Sequence, residues 1–372
     1  MVWSAVSPYR FAGVSMRPQI ISRKKLLCST ACADLFCAGC RLFCRRRGEK
    51  TELFVGSLAD SLGDDVLSRL RLSSRLLRLE PRCGLFLDDD TSLVCWHGRV
   101  FRVHLSDHRI VEEHRFRPGM SSPLALVPIR DNPGFTDCVL YGEYINDGAE
   151  NEICIVRREN DSGTWAPVFS FEAGRIKHIH AVFSCPQRES LIVFTGDKDR
   201  ESGIWEISKD FSGLRLIVGG SQQFRAVAGF MTESGIVYAT DAPNDPNGLF
   251  FCDYDGGSRR RLADIAGPAI YGAALPGSRY VFSTSVEPEK DRGLQSWVSY
   301  QRGHGIADNR SHLYLVEPDL TVRELYAGKK DLLPMRLFGF GTFQFPQGQR
   351  EGVIAVGQSL RGLDGKTIAL DF

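Results

Sequence analysis

From about residue 82 onward the sequence reads as short apolar runs of four to seven residues, separated by clusters of Gly, Pro, Asn and Asp. Short β-branched and aromatic runs bounded by turn residues are the mark of strands, and few stretches carry helical spacing. The clearest exception is "DSLGDDVLSRLRLSSRLLRL", Asp60 to Leu79, whose Asp-rich start and leucine spacing predict a helix ahead of the strands.

The strand region repeats. "KHIHAVFSCPQRESLIVFTGDKDRESGIWEIS", "QQFRAVAGFMTESGIVYATDAPNDPNGLFFCD" and "PAIYGAALPGSRYVFSTSVEPEKDRG" each read as strand, turn, strand, polar loop and third strand. Aligning "HAV" with "RAV" sets Arg225 45 residues after His180, and "TGD" with "ATD" sets Asp241 44 after Asp197. The next unit puts Tyr271 and Ser285 in the same two slots, and an earlier one, running through "CVLYGEY", puts Glu143 in the Asp197 slot. Fainter units lie on either side. A period of this length points to an all-β propeller of about six four-stranded blades, with seven as the other count, closed by pairing between the termini.

In a propeller blade the start of the first strand and the end of the second meet at one end of the central channel. His180, Arg225 and Tyr271, with Glu143, Asp197 and Asp241, are therefore the candidate catalytic residues, ringing one mouth. His178 and Gln223, each two residues upstream of a slot, share a strand face with His180 and Arg225 and are expected to bind substrate. His304, in the insertion "EKDRGLQSWVSYQRGHGIADNRS" of the penultimate unit, is the third candidate binding residue.

"RRENDSGTWAPVFSF", between a predicted third and fourth strand, resembles an Asp-box (BNR) repeat, with Thr164 and Trp165 matching and Asn160 standing where the Asp belongs. The stretch from about residue 139 to 242 is similar to bacterial sialidase-like and glycosyl-hydrolase-like propellers. That resemblance implies a carbohydrate-active protein of polysaccharide metabolism. The Asp-box itself is a folding motif and implies no catalytic residue; a sialidase needs three clamping arginines, and the ring supplies Arg225.

Composition narrows the classes. The apolar fraction is 43%, the formal net charge +1, and no basic stripe with interleaved aromatics runs through the strands, so no nucleic-acid partner is expected. No apolar run is long enough for a transmembrane segment, and no clear secretory signal peptide is present. The N-terminus differs: Met1 to Gly48 holds nine Arg and Lys against Asp34 alone, and five of the 11 cysteines. Zinc binding, disulfides, targeting or acylation, and a disordered extension compete there; the reading adopted is a basic, Cys-rich extension over 1–50 and one propeller over 51–372.

A ring of His, Arg, Tyr and carboxylates fits a glycoside hydrolase, with two carboxylates about the sugar bond, or a polysaccharide lyase, with Arg225 or a cation neutralising a uronate while His180 or Tyr271 takes its proton. Asp197, Asp241 and Glu143 could hold a divalent cation such as calcium; His178 and His180 could bind a transition metal with Asp197, given a third ligand from another blade. A non-catalytic propeller that binds a glycan or a protein partner is the alternative. No Gly-x-Ser-x-Gly elbow or phosphate-binding glycine loop occurs.

Overall fold

The computed structural model describes residues 16–145, 150–289, 297–348 and 352–371. Seven antiparallel sheets form the blades of a β-propeller. Blade 1 runs through Lys25–Ser29, Ala33–Ala38, Arg41–Arg46 and Leu53–Ser57, and blade 2 from Cys83–Phe86 to Arg109–Arg115. Blade 3 runs from Val127–Ile129 to Trp165–Phe171, blade 4 from His178–Cys185 to Leu214–Gly219, and blade 5 from Ala226–Met231 to Arg259–Ile265. Blade 6 spans Ala269–Leu275 to Val322–Lys329. Blade 7 takes three strands from the C-terminal region and its outermost, Gln19–Ser22, from the N-terminal region, so the expected closure by the termini is present.

The count is seven because blade 1 lies inside the expected extension. The boundary at residue 50 therefore moves: residues 19–57 belong to the propeller, while 1–15 lie outside the described residues. Four of the five cysteines of this stretch serve as small apolar side chains. Cys28, Cys37, Cys40 and Cys44 are buried free thiols packed with Leu27, Leu35 and Leu42. Arg45 pairs with Asp34 within the stretch at 2.8 Å, and other cations find acids outside the 1–50 window: Lys24 bonds Glu52 at 2.5 Å, and Arg46 reaches Asp90 at 3.2 Å.

The core lies between blades, each sheet burying its faces on its neighbours, as in the cluster that joins Val139, Ile155, Val182 and Val193 of blades 3 and 4. The expected helix is two short ones, Leu62–Arg69 and Arg71–Leu76, broken at Leu70, which has extended φ/ψ. Ser61 caps the first, its side chain accepting from the Asp64 amide. This hairpin joins the outer strand of blade 1 to the inner strand of blade 2, and so sits at the mouth. No helix among the described residues is long and apolar enough to cross a membrane.

Candidate functional site at the channel mouth

Local backbone irregularity builds the site. After Gly142 the second strand of blade 3 leaves its sheet, and Tyr144–Ile145 pairs instead with blade 4 across Tyr144 and His178. The inner strand of blade 4 carries a bulge between Ile179 and Ala181, which takes His180 out of the ladder; blades 1, 5 and 6 have bulges near the same position. Bulges re-aim side chains. Room for the His180 ring comes from Gly196, where a Cβ would sit 2.5 Å from its Cε1.

His178 and His180 are buried, and their Nε2 atoms lie 3.0 Å apart. His180 Nδ1 donates to the Ala226 carbonyl at 2.8 Å and His178 Nδ1 to the Ile145 carbonyl at 3.5 Å. A carbonyl only accepts, so each ring keeps its proton on Nδ1 and turns the Nε2 lone pair toward the other. Two facing lone pairs need a cation between them, a proton or a metal ion. Asp197 Oδ1 lies 3.5 Å from His178 Nε2 and 3.8 Å from His180 Nε2. The three separations fix a circle of radius about 2.0 Å through the donor atoms, which matches the bond length of a first-row divalent ion such as zinc to imidazole and carboxylate. Among the described residues this is the one such grouping of three metal-capable side chains. All three side chains belong to blade 4.

Arg225 connects this group to a second carboxylate. Its Nη2 lies 3.1 Å from Asp197 Oδ1 and 3.2 Å from Asp241 Oδ2, while Lys177 bonds the other Asp197 oxygen at 3.0 Å. The two acids are pushed in opposite directions. Burial works to raise Asp197, but its contacts with both imidazoles and the Arg225 charge hold it far below the usual carboxylate range. Burial raises Asp241 to about 6, with Arg225 opposing and Glu287 adding to the rise. Asp241 Oδ1 is buried and has no hydrogen-bond partner among the described residues. For His180, burial lowers the pKa and the Asp197 contact opposes it.

Tyr271 lines the same mouth, its hydroxyl accepting from Gln344 at 2.7 Å. The mouth is a cavity of about 650 Å³ whose walls include Lys25, Arg78, Arg82 and Arg225 with His180 and Asp241.

Three expected positions are not brought into the cluster. Glu143 accepts from the Cys154 amide at 2.7 Å and pairs with Arg117 at 2.7 Å, because the chain crosses between blades at this point and its side chain faces the other way. Calcium held by Asp197, Asp241 and Glu143 is therefore not what these residues form; Arg225 already bridges the two aspartates, and Asp197 has imidazole neighbours. Gln223 is exposed and accepts from Arg259 on the side of blade 5, because Gln222–Phe224 is a 3-10 turn and strand alternation does not reach back through it. Gln222 points inward instead, donating to the Asp197 carbonyl at 2.9 Å. His304 is exposed beside Glu289, 3.5 Å away, and touches none of the cluster.

Sequence reasoning passed over Tyr144, Lys177 and Glu287. Tyr144 stacks on His178 with centroids 3.9 Å apart, and burial together with the Asp197 and Asp241 charges keeps its hydroxyl protonated. The repeated Tyr of "YGEY" was a usable signal. Glu287, which accepts from Ser285 at 2.6 Å, lies two residues past a slot that the alignment had filled with the serine.

The sequence matches no family model and no curated protein. The fold is similar to that of oligogalacturonate lyase from Vibrio parahaemolyticus, at 11% identity over 95% of this chain and 91% of that one, with a TM-score of 0.58. It is also similar to the CNH domain of AfRom2, at 8% identity over 96% and 99% with a TM-score of 0.54. A puromycin-hydrolyzing peptidase from Mycobacterium tuberculosis matches at 12% identity over 92% of this chain and 52% of that one, with a TM-score of 0.53. At these identities the likenesses establish the propeller fold alone.

Proposed function

We propose that the chain is a carbohydrate-active enzyme that cleaves an acidic, uronate-containing glycan by β-elimination at the channel mouth. The observation that carries this reading is the convergence of His178, His180 and Asp197 on one point, with Arg225 and Asp241 beside it, in a cavity walled by Lys25, Arg78 and Arg82. His178, His180 and Asp197 would hold a divalent transition ion, which would supply positive charge beside the uronate carboxylate. Arg225 pairs with that carboxylate and so acidifies the adjacent C–H.

Asp241 is the base, its raised pKa matching proton exchange near neutrality. Tyr271 accepts from Gln344, leaving its own proton to donate to the departing glycosidic oxygen. The C–H electron pair becomes the new C=C bond as the C–O bond breaks. The fold likeness to an oligogalacturonate lyase and the Asp-box resemblance support a carbohydrate setting by analogy only. The opposed carboxylates Asp197 and Asp241 favour one second reading, hydrolysis by an acid and base pair.

The test is incubation of the full chain with polygalacturonate and other uronate polymers, with manganese or zinc and with chelator. Ultraviolet absorbance of unsaturated uronate is expected, lost in His180→Ala and Asp241→Asn while both variants keep the native circular dichroism spectrum. Reducing ends without absorbance would transfer the assignment to a hydrolase. Neither product from any acidic polymer sinks both readings.

A further inference from the structure

Cys83 opens the innermost strand of blade 2, and Cys95 lies near the end of the second strand, directly opposite it in the ladder. Among the described residues they are the one pair of cysteines that face each other across adjacent strands. Opposed residues of an antiparallel pair hold their Cα atoms about 4.5–5.5 Å apart. A disulfide spans roughly 4.4–6.8 Å between the same atoms, so the ladder already holds the two within bonding reach.

Strand alternation also fixes the face they share. Cys83 and Cys95 both point toward blade 3, where they pack with Leu85 and Leu93. Cys28 is the other thiol close to Cys83, and it sits on the blade 1 side, against Gly84, where a Cβ would come 3.3 Å from its Sγ. The sheet therefore separates Cys28 from the pair.

The two thiols have unequal surroundings. Cys83 is half-buried and lines a central cavity of about 510 Å³, which shares Lys25, Arg82, His180 and Tyr271 with the mouth. Cys95 is fully buried behind it. The Cys95 thiol pulls Cys83 below its ordinary value, and the Arg82 and Lys25 charges and the Leu126 backbone add to this against the effect of burial. Burial and the Cys83 contact push Cys95 well above it. The Cys83 Sγ also touches the Pro123 carbonyl, at 3.8 Å, a weak contact for a thiol. An accessible thiol beside cations, with a second thiol behind it, is the arrangement of an attacking and a resolving cysteine.

We propose that Cys83 and Cys95 form a redox-active dithiol that a hydroperoxide converts to a disulfide between the first two strands of blade 2. The Cys83 thiolate attacks a peroxide oxygen, the O–O bond breaks, and the departing oxygen leaves as water or an alcohol with the proton that Cys83 gave up. The Cys95 sulfur then displaces hydroxide from the Cys83 sulfenic acid, and the Cys95 proton makes that hydroxide water. Two electrons pass from the sulfurs to the peroxide, and a dithiol reductant returns them. The inference is independent of the lyase reading, since no group of the histidine cluster takes part.

Treating the full chain with hydrogen peroxide, denaturing it in an alkylating agent and mapping it by mass spectrometry tests the proposal. One tryptic peptide, Cys83–Arg99, carries both cysteines. It is expected two hydrogens lighter and unalkylated, and to take an alkyl group on each sulfur after dithiothreitol. In Cys95→Ala the same treatment is expected to leave a Cys83 sulfenic acid that dimedone traps, and in Cys28→Ala the disulfide is expected to form as in the wild type. A peptide alkylated on both sulfurs after peroxide, a link from Cys83 to Cys28, or a Cys83 sulfenic acid that persists in the wild type overturns the proposal. Each of these three is read on the wild-type chain, so a variant that fails to fold leaves the test intact.

Discussion

Two clusters of charged side chains line the same cavity, and they are built differently. On the side of blades 6, 7 and the hairpin, Arg75 spends its guanidinium on the Phe338 carbonyl at 2.8 Å, Asp331 at 2.7 Å, Asp364 at 3.3 Å and Ser359 at 2.8 Å. Asp364 also takes Arg71 at 2.6 Å and the Ser359 amide at 2.7 Å. Arg71, Arg75, Asp331 and Asp364 all have partners there. On the side of blades 4 and 5, two imidazole lone pairs face one another and a buried oxygen of Asp241 has no partner among the described residues. A saturated network fastens elements together; an unsaturated one is where a ligand supplies what is missing.

The comparison breaks most visibly through stability. Arg75 is buried, and truncating one partner of a buried ion pair typically costs about 3–5 kcal/mol because the remaining charges lose their compensation. Arg75→Ala is expected to lose that much in urea unfolding. His180→Ala, which removes one of two opposed lone pairs, is expected to lose roughly 1 kcal/mol or less without added metal, as groups poised for function often do. Equal losses would mean that the histidine cluster is as structural as the arginine one.

A pH series sharpens the same contrast at smaller amplitude. The folded-state pKa of Asp241 lies near 6, above its unfolded value, so the native state binds more protons between the two. The contribution of Asp241 to stability is then fully present below the unfolded pKa and is lost as pH rises through about 6. Subtracting the unfolding free energy of Asp241→Asn from that of the wild type, in chelator, should give a difference that declines by about 1–3 kcal/mol between pH 4 and pH 7. A flat difference would mean that folding does not raise the pKa of Asp241, which removes the ground for choosing it as the base.

How far the sequence carried these conclusions depends on the residue. The repeat placed His180, Asp197, Arg225 and Asp241 at one mouth, because slot positions in successive blades are equivalent by construction. Blade 1 was hidden by its composition: "KLLCS" and "RLFCRR" are strands whose cysteines act as apolar residues, and whose Arg45 and Arg46 reach Glu52 and Asp90 beyond the stretch that looked unbalanced. Glu143 sat in the right slot, yet the crossing from blade 3 to blade 4 turned it away and brought Tyr144 in. Such a crossing is set by pairing between distant segments, here Met120–Ser121 with Tyr144–Ile145, and no local pattern encodes it. The helical hairpin was legible in "LGDDVLSRLRLSSRLL" as leucine spacing alone; that Asp65 and Ser68 turn inward was not, since that depends on Ser57 and Cys40 of blade 1 offering polar partners.

The smallest effect tests the reach of strand alternation. Gln222 and Gln223 are adjacent and chemically identical, yet Gln222 donates to the Asp197 carbonyl at 2.9 Å and to Asp199 at 3.0 Å, while Gln223 faces Arg259 on the exposed side. Gln222→Ala removes a brace behind a proposed metal ligand, and second-sphere losses of this kind typically cost on the order of tenfold in metal affinity. Gln223→Ala should leave affinity unchanged and stability within about 0.5 kcal/mol, as surface substitutions usually do. Calorimetric titration of each variant with manganese or zinc separates them. Equal affinities would mean that Asp197 is held by Arg225 and Lys177 alone, because those two contacts to its carboxylate persist when either glutamine is removed.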